Sequence, residues 1–234
     1  MKRAAIAQAQ LKRKRGRQVA IGTVLVALVG LVSFLIFGGG NSSGKPTTLP
    51  CPALNGSSPR HNHFPAPPPM CVSKNMSYTA VIKTDVGTFT ATLDVNSAPV
   101  TTNDFVYLAL YHFYDGLAFY RVIPGFVDQG GSPGSAPNGG PGYTVKGEVP
   151  PSGAYKLGSL AMAKTTAQPN GTSGSQFFIV AGQQGVQLPP QYSLFGQVVK
   201  GMSVVEAINR DGSASGTPAV LHRIEKVTIQ VKKG

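Results

Sequence analysis

Two histidines fall in the C-terminal body of the chain, His112 and His222, and neither stands in a motif that would make it a base for a nucleophile. No G-x-S-x-G elbow is present. The nine acidic residues are scattered, with no obvious pairing for acid–base work. The Gly-rich stretch 130–142 has neither the lysine nor the following apolar helix of a phosphate loop, so it reads as a structural loop. His61 and His63 lie between Cys51 and Cys71, but at no standard zinc spacing. An enzyme built from these residues works without moving a proton and without a covalent intermediate.

Composition bounds the elements that must hold such a site. The 234 residues suffice for one domain with a full core plus extra segments. Charged residues make up 13%, which sets aside a solvating disordered chain. The 29 glycines and 19 prolines point to many turns and short strands. The net charge of +12 is not spread evenly: residues 1–84 hold 11 Lys and Arg and no acid, whereas residues 85–234 hold 10 bases and 9 acids. A nucleic-acid reader carries its basicity on the folded domain, so no nucleic-acid partner is expected.

Four regions follow along the chain. Residues 1–18 form a basic tail with seven Lys and Arg. Residues 19–37, VAIGTVLVALVGLVSFLIF, carry no charge and come close to the roughly 20 apolar residues that span a bilayer, which predicts a transmembrane helix. A signal peptide cut before Asn41 is the alternative. The basic flank places the N-terminus in the cytoplasm and the rest outside the membrane, anchored as a single-pass protein. Residues 38–77, rich in Gly, Ser, Asn and Pro, read as a linker, and a disulfide is the natural state of Cys51 and Cys71 outside the cytoplasm, two unpaired thiols being the alternative. Residues 78–234 read as a folded domain. YTAVIKTDVGTFTATLD alternates around a turn at Asp85-Val86-Gly87, a β-hairpin pattern. Val100, Phe105, Leu108, Ala109 and Phe113 lie near helical spacing, with Thr101 or Thr102 able to cap the start. SVVEAINR (203–210) is the second helical stretch, and short apolar runs between Gly/Pro loops complete a sheet-rich barrel or sandwich.

Three segments carry a specific resemblance. Residues 119–131, FYRVIPGFVDQGG, residues 174–179, GSQFFI, and residues 194–202, LFGQVVKGM, resemble in content and order the motifs of the cyclophilins, the peptidyl-prolyl cis-trans isomerases. The resemblance covers about residues 78–231, and with its anchored layout the chain is similar to membrane-bound actinobacterial members. It implies a mainly β fold, a closed eight-stranded antiparallel barrel capped by two helices, with a shallow groove on its outer surface. It places the catalytic arginine at Arg121 and an apolar proline pocket at Phe126, Val127, Phe178 and Leu188. Supporting amides fall at Gln129 and Gln176, the peptide-contacting strand at Ala163, Lys164 and Thr165, and the last pocket edge at Tyr192.

The physics of that set is coherent. Amide resonance makes the rotation barrier of peptide bonds about 18–20 kcal/mol. At the twisted transition state the proline nitrogen regains a lone pair, and a fixed guanidinium can donate to it and weaken the resonance. Strand alternation places Phe177 in the core and Phe178 toward the groove. Departures from the family pattern stand at Tyr120, Ser132, Pro137, Lys164 and Gln187. The reading is an isomerase without cofactor or metal, monomeric, acting on proline-containing exported or cell-surface clients. A catalytically weak module that only binds proline-containing segments is the rival, and a ligand-storing barrel is a weaker third reading.

Overall fold

The alternation at residues 78–94 becomes a hairpin of β1 (Met76–Thr84) and β2 (Gly87–Leu93), with Thr84 opposite Gly87 across the turn. Tyr78, Ala80 and Ile82 of β1 and Phe89, Ala91 and Leu93 of β2 are buried, and the residues between them are more exposed, the two-residue period of a half-buried sheet. This is a computed structural model, and it describes residues 47–233. The basic tail and the apolar run 19–37 lie outside the described residues. Among the described residues no helix is long and apolar enough to cross a membrane.

The chain continues through α1 (Pro99–Leu110), β3 (Phe119–Ile123), β4 (Val127–Gly130), β5 (Val145–Lys146), β6 (Ser159–Met162), β7 (Thr172–Ser173) and β8 (Phe177–Val180). It ends with α2 (Gln183–Val186), β9 (Leu194–Lys200), α3 (Met202–Arg210) and β10 (Ile224–Lys233). Eight strands form one curled antiparallel sheet in the order β10-β1-β2-β9-β6-β8-β4-β3, and β5 pairs with β7 apart from it. The closed barrel expected from the sequence is here a curled sheet whose edges meet at one bridge, Ala118 with Arg223. The reason lies in what occupies the outer edge of β3. Beyond Phe119, whose N–H reaches the His222 carbonyl at 2.9 Å, Val122 pairs instead with the loop after α3, donating to Gly216 O at 2.9 Å and accepting from Ser213 N at 3.1 Å.

The sheet interior holds an aromatic cluster. Phe105 of α1 lies 4.9 Å from Phe195, 4.9 Å from Tyr114 and 5.6 Å from Phe177, ring centre to ring centre. α1 packs against β5, β9 and β10, and α3 against β2, β3 and β4. The first turn of α1 is capped by a distant acid rather than by its own threonines: Glu148 accepts from Val100 N at 2.7 Å, Thr101 N at 3.1 Å and Thr101 Oγ1 at 2.7 Å. A carboxylate there also meets the positive end of the helix dipole.

Every residue of α1 from Thr101 to Leu110 is buried, far more than one face. The stretch expected to be a linker explains this, because from Leu49 onward it lies against the helix as a strap. Tyr107 and Tyr111 donate to the carbonyls of Leu49 (3.3 Å) and Pro50 (2.9 Å). Asn103 accepts from Cys71 N at 2.6 Å and donates to Pro69 O at 2.9 Å. Phe64 is fully buried, with ring centres 5.3 Å from Tyr107 and 5.7 Å from Tyr111. Cys51 and Cys71 are joined by a disulfide, with Cα atoms 5.4 Å apart.

Candidate active site

Strand register builds the site. Arg121 on β3 stands opposite Gln129 on β4, Gln129 opposite Phe178 on β8, and Phe178 opposite Ala161 on β6. Alternation sends Phe177 into the sheet interior and Phe178 to the other side. There Phe178 forms a separate apolar cluster with Val127, Ala161 and Val180, against which Phe126, Leu188 and Tyr192 pack. This cluster floors an open groove of about 1050 Å³.

Arg121 is half-buried at the groove's edge. Its Nη1 donates to Gln129 Oε1 at 3.3 Å. Gln129 Nε2 donates onward to Tyr120 Oη at 2.7 Å and to Gln176 Oε1 at 3.0 Å, and Tyr120 Oη also donates to Gln176 Oε1. Gln176 in turn gives its amide hydrogens to the carbonyls of Pro137 (2.8 Å) and Gly139 (2.7 Å). One chain of hydrogen bonds thus runs from the guanidinium to the loop that forms a groove wall. Behind Arg121 stands Gly216, where a Cβ would lie 3.1 Å from Arg121 Cγ.

The apolar end is set by a close backbone approach. Phe126 O accepts from Ala181 N at 2.9 Å and Gly182 N at 3.2 Å. A Cβ at Gly182 would sit 2.1 Å from the Gly125 carbonyl oxygen, so only glycine lets the two loops touch. The phenol of Tyr155, buried beneath, donates to Tyr192 O at 2.7 Å and accepts from Tyr192 N at 3.1 Å. The Tyr192 ring meets Phe178 edge-on at 5.3 Å.

All the residues expected at the site line this one groove: Arg121, Gln129 and Gln176 on one side, Phe126, Val127, Phe178 and Leu188 in the apolar part, and Ala163, Lys164, Thr165 and Tyr192 along the far rim. Gln187 is exposed and does not line it. Sequence reasoning missed His63 and Tyr143 as lining residues. Tyr120 was visible as a departure, but its place in the amide network was not. Among the described residues no cluster of three or more His, Cys, Asp or Glu is arranged to hold a metal.

The comparisons agree with this geometry. Residues 79–229 match the family model of the cyclophilin type peptidyl-prolyl cis-trans isomerases. Peptidyl-prolyl cis-trans isomerase B of Bacillus subtilis is 46% identical over 107 residues, which cover 45% of this chain and 72% of that one. Peptidyl-prolyl cis-trans isomerase A of Mycobacterium tuberculosis is 39% identical over 171 residues, 64% of this chain and 91% of that one. A crystal structure of a cyclophilin type isomerase from Cryptosporidium parvum superposes with a TM-score of 0.60 at 27% identity, over 66% of this chain and 98% of that chain. Fold, groove and sequence kinship converge, and the chain belongs to the cyclophilin-type peptidyl-prolyl cis-trans isomerases.

Proposed function

We propose that Arg121 is the catalytic residue of this isomerase and that the apolar cluster beside it holds the proline ring. One observation carries the reading: a guanidinium fixed by Gln129 stands at the edge of an open pocket floored by Val127 and Phe178. The ring rests in the pocket while the preceding carbonyl turns. Arg121 donates to the proline nitrogen as its lone pair returns, which lowers the double-bond character of the amide. The guanidinium stays charged throughout, so no proton moves. Ala163, Lys164 and Thr165 line the flanking peptide's path, and Tyr192 closes the pocket edge.

The same proposal places the enzyme outside the cytoplasm, held by residues 19–37 as a single-pass anchor, where it turns the prolyl bonds of exported or cell-surface proteins. Support comes from the uncharged run behind a basic tail and from the Cys51–Cys71 bond, which suits an oxidising compartment. The decisive experiment is Arg121→Ala in an isomerisation assay on a short X-Pro peptide. Turnover should fall about tenfold to a hundredfold, equivalent to about 1.4–2.7 kcal/mol of barrier, with the circular dichroism spectrum unchanged. Wild-type turnover in that variant would remove Arg121 from the mechanism.

A further inference from the structure

The groove is charged with one sign. Of the described residues that line it, none is Asp or Glu, while Arg121, Lys164 and His63 all are basic side chains. Neither Arg121 nor Lys164 forms an ion pair among the described residues. The acids on elements packed nearby are turned elsewhere. Asp128 of β4 is fully buried and bonded by Asn209 Nδ2 at 2.6 Å, and Glu148 caps α1.

Lys164 is held in place. Its ammonium donates to the carbonyls of Gln168 (3.2 Å) and Thr165 (3.3 Å) and lies 5.5 Å from the centre of the Tyr192 ring. Two of its three hydrogens are thereby used. A cation restrained in this way loses less side-chain freedom on meeting an anion than a free lysine does. Arg121 and Lys164 line the same groove, and about four residues of extended peptide span about 14 Å of it at about 3.4 Å per residue.

We propose that the groove selects proline-containing segments that bear an anionic side chain within about four residues of the proline, with Lys164 as the residue that reads the charge. This rests on the reading that Arg121 meets the proline. The anion is a carboxylate or a phosphorylated hydroxyl, since both offer oxygens to an ammonium.

The test uses the full chain and one X-Pro peptide in which a single position, moved through the four residues on each side of proline, is Gln, Glu, phosphoserine or Lys. kcat/KM is read by a protease-free exchange measurement, and Kd for the same peptides by calorimetry. At the best position Glu should exceed Lys by about threefold to tenfold, as expected for attraction and repulsion at a partly exposed cation. The ratio should shrink in 0.5 M salt, shrink in Lys164→Gln and reverse in Lys164→Glu, each ratio taken within one variant. Phosphoserine exceeding Glu would assign phosphorylated clients, and Glu equal to or above it carboxylate ones. Equal values for Glu and Lys at every position, or a ratio unmoved by Lys164→Gln, overturn the charge selection. Absence of turnover on every peptide overturns the reading of the groove instead, and the calorimetric ratios then still decide the charge question.

Discussion

Arg121 is joined to Gln129 by a single hydrogen bond of 3.3 Å, and that glutamine spends both its amide hydrogens on Tyr120 and Gln176. The guanidinium is therefore oriented by a chain of neutral groups that ends on the backbone of Pro137 and Gly139. Replacing the far link should be felt at the near end. Gln176→Leu removes the acceptor shared by Tyr120 and Gln129 and frees the loop, and kcat/KM should fall about tenfold, or about 1.4 kcal/mol. Tyr120→Phe leaves the two glutamines paired and should cost less. Equal and negligible losses in both variants would show that Arg121 does not need the network.

Gly216 supports the other side of the same arginine. Its φ of 88° suits glycine alone, and a Cβ would press on Arg121 Cγ. Gly216→Val should destabilise the fold by about 1–3 kcal/mol through backbone strain and also lower kcat by displacing the guanidinium. Urea denaturation and peptide turnover separate the two effects. A variant as stable and as active as the parent would mean that the loop gives way without moving Arg121.

The strap should behave as part of the domain. Phe64→Ala empties a buried aromatic site and should cost about 3–5 kcal/mol. Opening the Cys51–Cys71 bond, which spans 20 residues, should cost roughly 3 kcal/mol by loop entropy. Denaturation with and without reductant measures the second. Because His63 and Tyr143 line the groove next to Phe64, both changes should also raise KM for longer peptides more than for a tetrapeptide. Uniform KM values across peptide lengths would detach the strap from substrate binding.

Stability should fall as pH rises from mildly acidic to mildly alkaline. Burial pushes Asp104 up to about 8 despite the donation from Tyr143, and pushes Asp128 up to about 7 against the pull of Asn209 and His222. For His222 burial acts downward, but hydrogen bonds and charge from Asp85 and Asp211 outweigh it and raise the imidazole. In all three cases the native state holds its proton more tightly than the unfolded chain. The two carboxyls weaken the fold between their unfolded value of 3.8 and about 7–8, and His222 does so from 6.5 upward. The Tm at about pH 5 should exceed that at about pH 8.5 by at least roughly 10 °C, and Asp104→Asn should flatten the slope. Equal Tm values at the two pH values would contradict the assignment of these buried protons.

The hairpin of β1 and β2 could be read directly, because two-residue alternation and a turn are local properties of a few adjacent residues. The site was legible for a different reason: Arg121, Gln129 and Phe178 are set by strand register, and the motifs that carry them stay intact. The strap was opaque. Its partners, Asn103, Tyr107 and Tyr111, sit on what would be the outer face of α1, and nothing near Phe64 in sequence announces them. Proline and glycine content marks a segment without regular structure, not one without contacts. The cap of α1 was missed likewise, since Glu148 lies 48 residues from Val100. The charge of the groove could be counted only once folding had shown which bases face it.

The Cys51–Cys71 bond also fixes the route by which tension travels. A pull on the chain ahead of Cys51 first loads the bonds of Leu49 and Pro50 to α1, then passes through the sulfurs to Cys71, into α1 at Asn103 and into the sheet at Met76, and it bypasses the intervening loop. Phe64 and His63 sit inside that bypassed loop. The groove wall they support therefore lies off the path of a force applied ahead of Cys51, and such a force leaves the substrate path unstretched.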